Sequence, residues 1–310
     1  MREDSRTAFR SEAARSLGRR ELLLAGGGLW AGYGAEGAEA PPEIIDLAGA
    51  QFTEITAIND RREVAGYAFV GGRNVSFVGG AGRSAREMVA MPRFLQHTAF
   101  GLNNRGDLVG MGVLFLEQQP VRMAFIRRGQ EVEPFRMGDS RATAACGIND
   151  RGDVVGIYGE SEAGIRSFLL PAGALRPQPL DVPGASRTRA HDINNAGVVV
   201  GEYTEGGVTR GFLQRAGKTE RFEVEGATST HPYGINARGD VVGYTKTGST
   251  VRGFVRSAAG VVTAFAIPGC EETKLAAINS RGDLAGTIYR REAGHVQGFV
   301  LLADGGKPAR

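Results

Sequence analysis

Five arginines hold one place in a recurring turn. Arg61, Arg105, Arg151, Arg238 and Arg281 each stand two residues after an asparagine. A guanidinium is a planar fork of donors suited to carboxylate and phosphate groups. A row of them at turn tips on one face would therefore attract an anionic ligand. Asp107, Asp153, Asp240 and Asp283 follow two residues later and would offset that field. A second set has the types needed for acid–base work: His97, His191, His231, Tyr233 and Glu272. They do not repeat between units, and all lie near one end of the strand that precedes the turn. An enzyme needs such unit-specific groups to converge at one spot. The four histidines, with His295 the last, show no H-x-x-x-H or H-E-x-x-H spacing, so no metal site is expected. No nucleophile elbow, phosphate loop or calcium loop occurs, and no cofactor is expected.

The elements that must position these groups form a repeat. Six segments align on Asn59, Asn103, Asn149, Asn194, Asn236 and Asn279, spaced 44, 46, 45, 42 and 43 residues apart. Seven residues past each asparagine is a glycine: Gly66, Gly110, Gly156, Gly201, Gly243 and Gly286. Another 11 to 15 residues on comes a phenylalanine: Phe77, Phe125, Phe168, Phe212, Phe254 and Phe299. Each unit reads as four short strands. In the fifth unit these are Glu220 to Val224, Thr228 to Ile235, Asp240 to Tyr244 and Val251 to Val255. The sequence Asn236-Ala237-Arg238-Gly239 makes the hairpin between the second and third, a type I turn closed by a G1 bulge. Arg62, where the turn wants glycine, and Ala196 with Val198 predict less regular turns in units one and four. The glycine within the third strand marks a bulge or a close approach. The phenylalanine is a core residue packed between units.

A period of 42 to 46 residues with four strands fits the blade of a β-propeller, and six blades fill residues 41 to 305. The expected fold is an all-β, six-bladed propeller of four-stranded antiparallel blades, with an open β-repeat solenoid as the alternative. Pro42 to Leu47 reads as the first blade's own first strand, so no strand is expected to be exchanged between the termini. In a six-membered ring Cys146 and Cys270 fall in opposite units, too far apart for a disulfide.

Two resemblances follow from these residues. The pattern Gly-Ile-Asn, turn, Gly-Asp-Val-Val-Gly and then Arg-Gly-Phe-Leu resembles the HAF repeats of bacterial extracellular proteins. Its eponymous motif stands here as Met-Ala-Phe at 123–125 and as Ser-Phe or Gly-Phe elsewhere, without the histidine. This resemblance implies an exported, repeat-built protein and supplies no reaction. Residues 1–40 carry six arginines in the first 20 positions, a mildly apolar stretch from Leu22 and small residues at Ala38-Glu39-Ala40. With Arg19-Arg20 ahead of Glu21-Leu22-Leu23, they resemble a twin-arginine signal peptide. Residues 41–310 would then form the mature propeller domain, periplasmic or extracellular.

Composition sets the remaining bounds. The chain has 310 residues, 42% hydrophobic, with 37 basic against 34 acidic side chains. That charge surplus excludes a nucleic-acid-binding stripe, and no apolar run is long enough for a transmembrane anchor. Trp30, the one tryptophan, lies in the signal segment, which argues against a sugar-stacking platform. The expectation is a monomeric, non-catalytic binding or interaction module, for a protein or an anionic glycan or polymer on the face carrying the Asn-x-Arg-Gly-Asp turns. An exported propeller lyase or hydrolase with its site at the central channel is the alternative.

Overall fold

Each repeat is organised around its asparagine. Asn149 Oδ1 accepts the backbone N–H groups of Arg151, Gly152 and Asp153 at 3.0, 3.1 and 3.0 Å. The Asn149 amide reaches the Asp153 carbonyl and the Gly152 amide returns to Asn149, with Gly152 at φ +93°. This is the type I turn with a G1 bulge. The same pair of backbone bonds recurs at the other five anchors. The turns of units one and four, expected to be less regular, keep this frame. Arg62 itself adopts φ +63° and Gly197 φ +75°. A side chain is disfavoured in that region, and here its guanidinium binds Asp283 of the last repeat at 3.0 and 3.3 Å.

The computed structural model describes residues 41–81 and 86–303, so the expected signal segment lies outside the described residues. Among these the chain is built of strands, with one short 3-10 turn at Glu162–Gly164. The strands form antiparallel ladders of four. The first is β2 (Ala50–Ile58), β3 (Glu63–Val70), β4 (Arg73–Gly80) and β5 (Arg86–Met88). The second is β6 (Gln96–Leu102), β7 (Leu108–Leu116), β8 (Gln119–Arg128) and β9 (Glu131–Phe135). Next come β10 (Thr143–Ile148), β11 (Val154–Tyr158), β12 (Arg166–Leu170) and β13 (Gln178–Leu180). Then follow β14 (Arg187–Ile193), β15 (Val199–Glu205), β16 (Val208–Arg215) and β17 (Lys218–Phe222). The fifth holds β18 (Ser229–Ile235), β19 (Val241–Thr247), β20 (Thr250–Arg256) and β21 (Val262–Phe265). The last is β22 (Glu272–Ile278), β23 (Leu284–Tyr289) and β24 (Val296–Leu301), with β1 (Glu43–Ile45) as its outer strand. A parallel bridge between Val251 and Glu272 joins the last two ladders into one eight-stranded sheet.

This order corrects two expectations. The alternating stretch ahead of each turn strand does not open its own unit. Lys218–Phe222 completes the preceding sheet, because the two-residue turn at Ala216 and Gly217 (φ +48° and +77°) folds it straight back on β16. Likewise Pro42 to Leu47 does not belong to the first sheet. Its core, β1, pairs with β24 from Glu43↔Val300 to Ile45↔Gly298, so a strand from one end of the chain completes the sheet made by the other.

The repeated glycine and phenylalanine are explained by the ladder itself. Each glycine pairs with the residue where the turn strand bulges: Ile55↔Gly66, Ala99↔Gly110 and Ala145↔Gly156 are three of these pairs. The bulge presses a carbonyl onto it, and a Cβ at Gly156 would lie 2.0 Å from Ala144 O. On its other side the glycine pairs with the phenylalanine, as in Gly156↔Phe168, whose ring covers it. All six phenylalanines are fully buried. The core lies between neighbouring sheets. Phe125 packs with Ala57 and Ala65 of the sheet before it, and Ile55 and Phe77 pack with Ile45, Ala277, Ala285 and Val300 of the last.

Candidate functional site

Two surfaces compete for a functional role: the turn face and the channel behind it. On the turn face each asparagine clamps its neighbour. Asn59 Nδ2 donates to Asn103 O, Asn103 to Asn149, Asn149 to Asn194, Asn194 to Asn236 and Asn236 to Asn279, at 3.0–3.3 Å. Asn279 then donates to Asn59 O at 3.0 Å, and the series returns to its start. Inside this girdle runs a second one. Asp60, Asn104, Asp150 and Asn195 bond one another's amides and side chains, and Ser280 N donates to Asp60 Oδ1. Burial pushes the Asp150 carboxyl up, but bonds from Asn195 and Asn104 and the charge of Arg105 outweigh it and hold the group below the usual range.

The five sequence-predicted arginines do gather on this face, but their charge is already engaged. Arg61 pairs with Glu63 at 2.6 Å, Arg105 with Asp107 at 2.7 Å, Arg151 with Asp153 at 2.6 Å and Arg238 with Asp240 at 2.9 Å. Arg281 donates to the Asp60 carbonyl instead. Each of the four carboxylates is also hydrogen-bonded to its own anchor asparagine, so the guanidinium completes the turn's network.

Behind the turns the inner strands enclose a cavity of about 500 Å³. Ile58, Leu102, Asp192 and Ile278 line both this cavity and the smaller one at the turn face, and so form the constriction between them. Most of the wall is built from equivalent positions of each repeat: three and five residues before the anchor asparagine, and one after the glycine. In units two and three these places hold Phe100, Met111, Ala144, Cys146 and Ile157. In units four to six the cavity is lined by Arg189, His191, Tyr233, Tyr244 and Lys274, together with Ala276 and Thr287. Units two and three thus give an apolar wall and units four to six a largely charged and aromatic one, while unit one adds Thr56 and the hydrogen-bonded pair Tyr67 and Glu54.

The charged wall is closely packed. The rings of His191 and Tyr233 stack at 4.2 Å between centroids, those of His231 and Tyr244 at 4.6 Å, and the two tyrosines lie 5.7 Å apart. Lys274 Nζ sits 5.6 Å from the Tyr244 ring and pairs with Glu272 at 3.0 Å. Behind the rings is buried Glu202. Its Oε2 lies 2.7 Å from His231 Nδ1 and 3.9 Å from His191 Nε2, and its Oε1 lies 3.7 Å from Arg189 Nε. Burial pushes this carboxyl up, but the two histidines beside it, His231 through its hydrogen bond, win and hold it well below the usual carboxylate range. Burial also pushes the Tyr233 hydroxyl well up and Tyr244 up to about 12, so both stay protonated donors. The Cys146 thiol, raised to about 12 by the same desolvation, stays neutral.

Of the sequence-predicted set, the structure brings His191, His231 and Tyr233 together and adds Glu272 through Lys274. His97 stands apart between the first two sheets, its Nδ1 2.9 Å from Ser76 Oγ. Sequence reasoning missed Arg189, Glu202, Tyr244, Lys274 and Asp192. The available signal was positional, a change of residue type at a fixed offset from the anchor. Asp192, two before Asn194, stands where the other units have Ala57, Gly101, Gly147, Gly234 and Ala277. Both cysteines are free thiols, as their placement implies. Among the described residues no helix is long and apolar enough to cross a membrane.

No protein-family model and no curated protein matches the chain. Solved structures do. A protein assigned as TolB from Agrobacterium tumefaciens superposes with a TM-score of 0.57 at 13% identity, over 84% of this chain and 91% of that one. A protein assigned as a gluconolactonase gives 0.52 at 15% identity, over 86% and 93%. Virginiamycin B lyase from Staphylococcus aureus, as a catalytically inactive variant with quinupristin, gives 0.50 at 8% identity, over 84% and 99%. These are β-propellers, and this chain shares their fold. At such identities the likeness extends to the fold alone.

Proposed function

We propose that the chain is an exported, six-bladed β-propeller whose ring is completed by its N-terminal strand, and that it binds a small amphipathic ligand in its central channel. The asparagine series that returns from Asn279 to Asn59, and the β1–β24 ladder, support the closed ring. The twin-arginine-like segment and the HAF-type repeats support export to the periplasm or cell surface. One observation carries the ligand site: the side chains that units two and three turn into the cavity are apolar, whereas units four and five turn in Arg189, His191, Tyr233 and Tyr244, joined by Lys274 of unit six. Packing alone would let equivalent positions stay alike, as the buried asparagines, glycines and phenylalanines do. The ligand that fits has an apolar face for Phe100, Met111 and Ile157, and a polar or carboxylate-bearing face for Arg189, His191, Tyr233 and Lys274. On the turn face four of the five arginines are already paired with carboxylates, which weighs toward the channel.

Thermal unfolding of the full chain with a panel of aromatic acids, short acyl carboxylates and uronic acids tests this. A ligand present at about 100 times its dissociation constant adds roughly 2.7 kcal/mol. The expected result is a stabilisation that Arg189→Gln with Tyr244→Phe removes and Arg105→Ala with Arg151→Ala leaves intact. The reverse pattern moves the site to the turn face and overturns the channel reading.

A further inference from the structure

Beside the charged wall, against Tyr244, lies a hydrogen-bonded relay that ligand binding does not require. Ser229 Oγ lies 2.9 Å from His231 Nε2, and His231 Nδ1 lies 2.7 Å from Glu202 Oε2. Ser229 and His231 are two apart on β18 and so project from the same side of the strand. The imidazole cannot turn freely, because it is stacked on Tyr244 with 15° between the planes. Glu202 comes from the neighbouring sheet, where it pairs with Arg189 across β15 and β14. When the Nδ1 proton is donated to this carboxylate, the neutral imidazole turns Nε2 as an acceptor toward the serine hydroxyl. The tautomer is thus set by the hydrogen-bond network.

Nothing in the repeat demands these residues. The place of Ser229 is taken by Phe52, Gln96, Ala142, Arg187 and Glu272 in the other units, and that of His231 by Glu54, Thr98, Ala144, Arg189 and Lys274. Ser229 is half-exposed at the end of its strand, while Glu202 is buried. A nucleophile in reach of a base, with the base oriented by a third group, is the geometry of covalent acyl transfer.

We propose that Ser229 is the nucleophile, His231 the general base and Glu202 the positioning carboxylate of a site that hydrolyses a carboxylic ester. The inference rests on the channel as the ligand site, with the acyl part of the ester against the apolar wall. Ser229 Oγ bonds to the carbonyl carbon as its proton passes to His231 Nε2. The bond from that carbon to the alcohol oxygen breaks, and His231 returns the proton to the departing alcohol. Water, losing a proton to His231, then attacks the acyl carbon. The acid leaves and the serine hydroxyl is restored, so one ester and one water give one acid and one alcohol.

The test is to treat the full chain with an alkyl fluorophosphonate, map the adduct by peptide mass spectrometry, and follow p-nitrophenyl butyrate hydrolysis in parallel. The expected result is a single adduct on Ser229, lost in Ser229→Ala. Glu202→Gln should slow both labelling and hydrolysis by at least about 100-fold. Ser229→Ala should unfold at the wild-type temperature and keep the ligand-induced stabilisation, which separates chemistry from structure. Absence of an adduct on Ser229 overturns the proposal and leaves the serine as a hydrogen-bond partner of His231. If the adduct is missing while the channel variants still abolish ligand stabilisation, this proposal falls and the binding reading stands. If the adduct forms while those variants have no effect on ligand stabilisation, the binding reading falls and the nucleophile stands.

Discussion

Asp192 shows how a single substitution in a repeat acquires chemistry. The other five units place alanine or glycine there, so this carboxylate projects into the constriction of the channel. Desolvation raises its pKa to about 7, despite the amides of Ile193 and Ile235 that bond it and oppose the rise. The folded state therefore binds more protons than the unfolded chain between about pH 4 and pH 7. Stability must fall as pH rises through that window. Asp192→Asn has no charge to desolvate and keeps an acceptor oxygen for one of the two amides, which Asp192 bonds through separate oxygens. Urea unfolding at pH 5 and pH 8 should show the variant gaining on the wild type with rising pH, by roughly 2.5 kcal/mol. A difference that does not change with pH would contradict this account. Asp192 was not legible in the sequence, because one departure at a small-residue position looks like ordinary drift. The anchor asparagines were legible because they recur, and their buried bonds explain the recurrence.

At the scale of the strand, recurrence gave the period of the repeat and left its phase undetermined. Four strands per unit, the turn geometry and the bulge all follow from the Asn, Gly and Phe spacing. Which strand belongs to which sheet does not, because an alternating segment can pair forward or back. The deciding contact is the two-residue turn at Ala216 and Gly217, with both residues at positive φ. The bulge strand carries a sharper prediction. At Gly156 a Cβ would stand 2.0 Å from Ala144 O and 2.8 Å from the Phe168 ring. Gly156→Ala must break that pairing, at a cost of about 3 kcal/mol or more. Gly173, at φ +77° with nothing within 4 Å of a Cβ, has backbone strain alone, and Gly173→Ala should cost about 1 kcal/mol. Equal losses for the two variants in chemical denaturation would rule out the close-approach explanation.

For the whole molecule the critical element is the three-residue β1 on β24. Beside it, His295 Nε2 lies 2.9 Å from Asp46 Oδ2, and Gln297 bonds the same oxygen at 2.8 Å. The hydrogen bond to Asp46, together with the Ala293 carbonyl, raises the His295 pKa above its ordinary value. This contribution is fully present below the unfolded pKa of about 6.5 and is lost as pH rises through the higher folded value. Hydrogen exchange at Ile44 and Ile45 should accelerate across that interval, and His295→Gln should flatten the dependence. Exchange that is as steep in the variant would remove His295 from the account. The exchanged strand was illegible in advance because Pro42 to Leu47 has the pattern of any strand. Its partner is chosen by which sheet lacks an edge.

The antiparallel sense of that pairing has a mechanical consequence. Glu43 lies opposite Val300, so the chain enters and leaves the ladder at the same end. A force applied to the two termini would open the β1–β24 bonds one after another, as a zipper is drawn, without loading them together in shear. The remaining sheets would feel the load only after that strand had parted. Tension between the ends would therefore act first on the clasp, at low force, and the asparagine girdle would come under strain second.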